Sequence, residues 1–236
     1  MKYDQISNQL FSKNRKKFMA QMRPKSIAVF NSNDIYPISA DSTMPFEQHR
    51  DIFYLSGADQ EDTILVLFPD AMDPKHKEVL FVRETNAHIA VWEGEKLTKA
   101  KATEVSGIAT IYWLSDFKKV FFDLMTEADT FYFNNYAHYR QAVETQTRED
   151  RFIEVCKKDF PAHQYAKSNP ILQQLRGVKE PEELNLMQIA CDITEKGFRR
   201  VLEFTQPGVW EYEIEAELLH EFVRNRSKGF AYTPII

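Results

Sequence analysis

Cysteine is scarce in this sequence, with only Cys156 and Cys191 among 236 residues. Two cysteines cannot form the disulfide framework of a secreted scaffold. The N-terminal stretch MKYDQISNQL is polar and lacks the apolar centre of a secretory signal, and no later apolar run approaches the length of a membrane span. These absences predict a protein of the reducing cytoplasm, with no membrane partner.

The sequence also has no concentrated run of positive charge. Its 30 lysines and arginines are scattered along the chain, and the formal net charge is −5. A surface that binds nucleic acid needs clustered basic residues. We therefore predict no nucleic-acid partner.

Short motifs for metals and nucleotides are missing as well. The chain has no HExxH, no CxxC and no glycine-rich phosphate loop. His220 is interpreted as a structural residue of a packed helix, and Glu213, Glu217 and Glu221 as a solvated helix face. No pair of histidines has the spacing of one helix face; the six are His49, His76, His88, His138, His163 and His220. The sequence predicts no metal site and no catalytic residue within these 236 residues.

What the chain does contain is enough apolar sequence for a core, with 43% hydrophobic residues. Apolar spacing predicts helices over Ile6–Met22, Leu97–Val105, Phe117–Met125 and Tyr139–Lys158. Short runs rich in β-branched and aromatic residues predict strands at SIAVFNS, IFYLSG, TILVLF, EVLFVR and TFYFNN. Residues 1–168 are therefore predicted to form an α/β domain, with a mixed β-sheet flanked by helices.

A second domain is predicted to begin at residue 169. A long helix starts near Pro181, where proline and the following glutamates suit a helix N-terminus, and it ends before Pro207 and Gly208. A second helix, WEYEIEAELLHEFVRNRS, precedes a strand predicted within KGFAYTPII. Two helices and one strand do not close a core. Residues 169–236 are thus expected to be an incomplete domain, and the sequence a truncated piece of a longer protein.

These segments, taken in order, resemble one group of enzymes. The stretch from RGVKEPEELNLMQIACDIT to KGFAYTPII resembles the start of the pita-bread metallopeptidase domain shared by Xaa-Pro aminopeptidases, prolidases and creatinase. Upstream, SADSTMPFEQHRDIFYLSG, EVLFVRE and VWEGEKL resemble the N-terminal domain of the aminopeptidase P branch. The motifs cover most of the 236 residues. The resemblance implies an aminopeptidase P N-terminal domain over 1–168 and the first two helices and first strand of the pita-bread domain over 169–236.

The resemblance also implies an activity, the removal of an N-terminal residue from peptides with proline second. In this family two aspartates, one histidine and two glutamates hold two divalent ions, usually Mn²⁺, which activate water. Those ligands lie downstream of the last strand, so this piece is expected to be inactive alone and to contribute substrate recognition and oligomer contacts. The implied partners are proline-containing peptides and further copies in a dimer or tetramer. A prolidase and a metal-free peptide- or protein-binding module remain alternatives.

Three residues match substrate-binding positions of the family. Asp41, in SADSTM, matches an acid that fixes the substrate's free amino group, although aspartate also caps turns. Trp92 matches a tryptophan that walls an active site, often a neighbouring subunit's, although it could pack half-buried within its own domain. Tyr232 matches an aromatic residue at the edge of the catalytic pocket, although strand packing would also explain it.

Overall fold

The computed structural model describes residues 3–135 and 145–236, which fall into two compact units. The larger unit comprises residues 7–178, and the smaller unit comprises residues 3–6 together with 179–236. The domain boundary predicted between residues 168 and 169 stays a prediction.

The larger unit alternates strands and helices along the chain. Its helices are α1 (Asn8–Met19), α2 (Arg50–Ser56), α3 (Ala87–Glu93), α4 (Lys99–Ser106), α5 (Phe117–Met125), α6 (Arg148–Asp159) and α7 (Asn169–Gly177). Its strands are β1 (Ser26–Asn31), β2 (Pro37–Ser39), β3 (Ser42–Thr43), β4 (Ile64–Leu67), β5 (Glu78–Val82), β6 (Thr110–Trp113), β7 (Thr130–Phe133) and β8 (Gln164–Lys167). Single 3-10 turns lie at Pro74–His76 and Leu114–Asp116.

Six strands form one mixed sheet in the order β6-β5-β4-β1-β7-β8, which confirms the predicted fold class. Strand β4 is antiparallel to β1 and β5, whereas β1–β7, β7–β8 and β5–β6 pair in parallel. The carboxyl ends of β1, β5, β6, β7 and β8 therefore lie at one edge of the sheet, beside the start of β4. Strands β2 and β3 form a separate hairpin.

Helices cover both faces of this sheet, because neighbouring strand residues point to opposite sides. Ile27 and Val29 of β1 face a cluster that includes side chains of α5 and α6. Ala28 and Phe30 face a second cluster, which contains side chains of α1, α2, α4 and α7. Burial on both faces explains why β1, β4, β5 and β7 are mostly apolar rather than alternating between apolar and polar residues.

The strand predicted at IFYLSG is wrong, since these residues belong to helix α2. The Asp51 N–H donates to His49 Nδ1 (3.2 Å) at the start of the helix, and the Gly57 N–H donates to the Phe53 carbonyl (2.7 Å) at its end. Ile52 and Leu55, three positions apart, are both fully buried. A short apolar run fits a buried strand or a helix equally well, and here the two helix ends are the features that distinguish them.

The other predicted helices and strands of the larger unit have counterparts of the same type in the structure. The helix predicted from Ile6 to Met22 is α1, and those near Leu97 and Phe117 are α4 and α5. For the helix predicted over Tyr139–Lys158, residues 139–144 lie outside the described residues, and α6 occupies the later part.

The smaller unit is built on a helical hairpin of α8 (Pro181–Phe204) and α9 (Glu211–Arg224). The two helices approach closely at Gly197, where an added Cβ would lie 2.7 Å from Phe222 Cε1. Arg226 forms an ion pair with Asp4 of the N-terminal segment. The strand predicted to begin near Tyr232 is not formed among the residues described after α9, because a strand needs a hydrogen-bonded neighbour.

Candidate functional site

Asp41 lies at the tip of the β2–β3 hairpin, which leaves the sheet after β1. The hairpin is closed by a hydrogen bond from Met44 N–H to the Tyr36 carbonyl (2.9 Å), and Ala40 has a left-handed backbone with φ of 50°. Asp41 is exposed, and none of the hydrogen bonds among the described residues involves its carboxylate. The side chain is therefore available to a ligand.

Trp92 lies on helix α3, which leaves the same edge of the sheet after β5. The Ile89 N–H donates to Asn86 Oδ1 (3.0 Å) at the helix start, and Arg83 pairs with Glu93 (2.7 Å) at its end. No residue of α3 is buried, and Trp92 is 78% exposed. The tryptophan ring is thus presented to solvent rather than packed within its own unit.

Tyr232 belongs to the smaller unit and follows α9 in an irregular segment. It is 82% exposed. Of the three predicted site residues, Asp41 and Trp92 are placed at one edge of one sheet, and Tyr232 lies in the other unit.

A polar network at the same sheet edge was not anticipated from the sequence. Arg148 Nη1 donates to Ser32 Oγ and to Asp62 Oδ1, each at 3.0 Å, and the Arg148 backbone N–H donates to Asp34 Oδ2 (2.7 Å). Asp34 also pairs with Arg151. These bonds attach the start of α6 to the end of β1 and to the start of β4. The signal in the sequence is the polar stretch NSND directly after the buried strand β1.

Glu149 is a half-buried carboxylate at this edge. Its carboxylate accepts from Asn31 Nδ2 (2.8 Å) and from the Asn134 N–H (3.1 Å). Burial raises the pKa of Glu149 above its ordinary value, and the two hydrogen bonds only partly offset that effect. Through these two partly buried bonds, Glu149 holds the ends of β1 and β7 against α6.

A second unanticipated contact connects α7 to α2. Arg176 Nη1 binds Asp51 Oδ1 at 2.5 Å, and its guanidinium lies 5.7 Å from the centre of the Tyr54 ring. Beside them, burial lowers the pKa of His49, which suits the neutral imidazole that accepts from the Asp51 N–H. The Arg176 contact fixes α7, the last element of the larger unit.

Within residues 3–135 and 145–236, no three histidine, cysteine, aspartate or glutamate side chains converge in a way that could hold a metal ion. The described residues therefore do not fit a two-metal centre.

None of the helices that the structure describes is both long enough and apolar enough to cross a membrane.

Two protein-family models match parts of this chain. A model of the aminopeptidase P N-terminal domain matches residues 11–132, just over half of the chain. The chain belongs to the aminopeptidase P N-terminal domain family. A second model, metallopeptidase family M24, matches residues 185–236. Asp41 and Trp92 fall within the first match and Tyr232 within the second, whereas Arg148 and Arg176 fall in neither.

The individual proteins that the chain resembles include Xaa-Pro aminopeptidases. Xaa-Pro aminopeptidase of Escherichia coli (strain K12) is 28% identical over 234 residues, covering 98% of this chain and 53% of that protein. Xaa-Pro aminopeptidase 3 of Homo sapiens is 24% identical over 232 residues, covering 97% of this chain and 45% of the human protein. The chain spans about half the length of the curated relatives it matches.

Solved structures of aminopeptidase P share the fold. The low-pH form of the E. coli protein is 27% identical with a TM-score of 0.78, covering 94% of this chain and 50% of that one. A zinc-substituted E. coli aminopeptidase P in complex with product gives the same identity, TM-score and coverage. Both matches extend over the two compact units in their order along the chain.

Proposed function

We propose that this chain supplies the N-terminal half of a metal-dependent Xaa-Pro aminopeptidase, which removes the first residue of peptides whose second residue is proline. The observation that carries the proposal is the order of the two family matches, residues 11–132 followed by 185–236. The aminopeptidase relatives align along nearly the whole chain. The reaction needs a dedicated enzyme because the amide before proline lacks an N–H and has a fixed φ.

The proposed reaction needs two divalent ions, for which we propose Mn²⁺. The match to a metallopeptidase family supports a metal, and the zinc-substituted E. coli protein supports a site that accepts divalent ions. The described residues lack a donor set for such a centre. Because the chain spans about half the length of its relatives, we propose that the ligands lie in the remaining part of the complete protein: two aspartates about a dozen residues apart, then a histidine and two glutamates.

Within the chain, we assign substrate recognition to Asp41, Trp92 and Tyr232. An exposed carboxylate such as that of Asp41 suits the free ammonium group of a peptide, since an ion pair with hydrogen bonds is stronger than a neutral contact. The exposed rings of Trp92 and Tyr232 offer flat apolar surface to a proline ring or a neighbouring side chain.

We also propose that the complete enzyme is a homo-oligomer in the cytoplasm. Helix α3 supports the oligomer, because the adjacent residues Val91 and Trp92 are each 78% exposed and contiguous exposed apolar surface marks interaction sites. The size of the oligomer and the cytoplasmic location stay predictions.

The test compares the complete coding sequence with this chain alone. The complete protein, loaded with Mn²⁺, should release the first residue from an Xaa-Pro-Yaa peptide and leave an Xaa-Ala-Yaa peptide intact. Chelation should abolish release, and the chain alone should show neither release nor stoichiometric Mn²⁺ in a calorimetric titration. Binding of proline peptides without hydrolysis would instead indicate a metal-free binding module, and hydrolysis of dipeptides only would indicate a prolidase.

A further inference from the structure

Lysines that are separate in the sequence converge on one surface of the larger unit. A groove of about 410 Å³ runs along α1 and is lined by Lys13, Lys16 and Lys17 together with Gly107. A second groove, of about 540 Å³, adjoins it at Lys16 and Gly107 and is lined by Lys75 and Lys77. All five lysines are exposed. We call the two together the lysine groove.

The acidic side chain in this groove is already neutralised. Of the described residues that line the groove, only Glu78 is acidic, and its carboxylate accepts from Arg15 Nε at 2.8 Å. Arg15 is fully buried and also donates from Nη1 to the carbonyls of Leu55 and Ser106. Outside the lining, Asp73 pairs with Lys75 at 2.8 Å. The lining therefore carries five lysines and one acidic side chain, on a protein whose net charge is −5.

The floor of the groove is apolar. Its second part is lined by Met19 and Ala20 at the end of α1, by Pro69 and Pro74 between β4 and β5, and by Ala109 before β6. A surface of this kind combines an apolar strip with a lysine rim. Such a surface is complementary to a peptide segment that carries both apolar and acidic side chains.

We propose that the lysine groove binds an acidic segment of a partner protein, with apolar side chains on the floor and carboxylates facing the lysines. Nucleic acid fits less well, because no aromatic side chain lines the groove to stack on bases, and the nearby Arg15 is buried and engaged. The lysines line both grooves instead of surrounding a single point. This spread fits an extended peptide segment better than a small anion. This inference does not rest on the proposed peptidase activity.

The test uses the full chain and a fluorescein-labelled probe of repeated Leu-Glu-Glu units, about twelve residues long. Fluorescence anisotropy at physiological salt should detect saturable binding. The uncharged Leu-Gln-Gln probe and the non-apolar Ser-Glu-Glu probe should each bind at least about tenfold more weakly, since each removes one of the two complementary features.

Charge reversal distinguishes this groove from general attraction to lysine. The double variant Lys16→Glu, Lys77→Glu should weaken probe binding at least about tenfold. The control Lys118→Glu, Lys119→Glu changes the net charge equally on exposed positions of α5. It should change binding less than about twofold, because charges beyond about 8 Å are screened at physiological salt.

A steric pair tests the floor without changing charge. Ala20→Trp should fill the groove and abolish binding, whereas Ala100→Trp, at an exposed position of α4 outside the groove, should not. Circular dichroism of each variant confirms folding.

The proposal is overturned if the probe does not bind, if both members of either variant pair behave alike, or if oligothymidylate binds as tightly as the acidic peptide. Self-association without probe, reversed by the lysine variants, would assign the groove to a second copy and also overturn it.

Discussion

At the scale of single residues, charged side chains below the surface of the larger unit connect its helices and strands. Arg15 joins α1 to β5 through Glu78 and to the ends of α2 and α4 through two carbonyls. Glu149 joins α6 to β1 and β7. A buried charge without a partner is costly, so removing one partner costs more than the contact itself contributes.

Glu149→Gln should change how stability depends on pH. Burial raises the folded-state pKa of Glu149 above its ordinary value of 4.5, so the folded protein holds this proton more tightly than the unfolded chain. The contribution of protonated Glu149 to the free energy of unfolding is complete below about pH 4.5 and is lost as the pH rises through the folded-state pKa. Denaturant unfolding from about pH 4 to about pH 8 should show this loss in the wild type and not in Glu149→Gln.

The matched control for that prediction is Glu154→Gln, an exposed change on the same helix. It removes one carboxylate but should leave the pH profile of the wild type unchanged. If Glu149→Gln and Glu154→Gln give the same profile, Glu149 does not carry the dependence.

Asp41→Ala, made in the complete enzyme, tests the proposed recognition of the substrate's amino group. Loss of one charge-assisted hydrogen bond should lower kcat/KM by about ten- to a hundredfold, which corresponds to roughly 1.5–3 kcal/mol. The melting temperature should hardly change, because Asp41 is exposed and no described hydrogen bond uses its carboxylate. A turn-capping role predicts the opposite, a stability loss of about 1 kcal/mol with kcat/KM unchanged, and that result would remove Asp41 from the site.

At the scale of elements, the ends of α2 and α4 are built alike. Each ends at a glycine with a left-handed backbone, Gly57 (φ 68°) and Gly107 (φ 71°), whose N–H donates to the carbonyl four residues earlier. The surroundings differ. A Cβ at Gly57 would lie 2.2 Å from Phe11 Cε2 on α1, whereas at Gly107 the nearest atom would be 3.5 Å away. Gly57 therefore sets both the end of α2 and its distance from α1.

This pair gives a prediction with its control. Gly107→Ala should cost about 1–2 kcal/mol, the strain of a left-handed backbone for a residue with a Cβ. Gly57→Ala should cost a further 1–3 kcal/mol or so, because the Phe11 ring must move out of a packed core. Denaturant unfolding of the two variants measures the difference directly. Equal losses would mean that α1 and α2 do not approach each other as closely as described.

At the scale of the whole molecule, α7 completes the larger unit. Leu172 is buried against the sheet face covered by α1 and α2, and Arg176 binds Asp51 from α2. Ser168, the residue before α7, donates its hydroxyl to the Phe133 carbonyl at 3.0 Å. The contacts of residues 169–177 thus belong to the core of the first domain, although they follow the predicted family boundary in sequence.

Two shortened chains test this. A protein of residues 7–178 should unfold in one cooperative transition, since it contains both faces of the sheet and their helices. A protein of residues 7–168 should lose at least about 3 kcal/mol of that stability, or fail to fold, because it lacks the buried side chain of Leu172 and leaves Asp51 without its arginine. Thermal unfolding followed by circular dichroism distinguishes the two. Equal stability of the two proteins would mean that the folded domain ends at residue 168.

The sequence by itself determined the elements whose pattern is local. The buried run of β1 and the stripe of α8 were recognisable because side-chain direction repeats every two residues in a strand and about every 3.6 in a helix. The order of motifs likewise determined the family. Asp41, Trp92 and Tyr232 were found only through that order, and their roles remain proposals.

The tertiary structure decided what depends on distant residues. The apolar run IFYL became a helix because its ends are closed by His49 and Gly57, while other strands fill the sheet. Arg176 pairs with Asp51 although the two residues are 125 positions apart. Lys16 of α1 lines the same groove as Lys75 and Lys77, which precede β5. Periodicity records which side of an element faces inward, but not which element will lie against it, so such contacts appear only once the chain has folded.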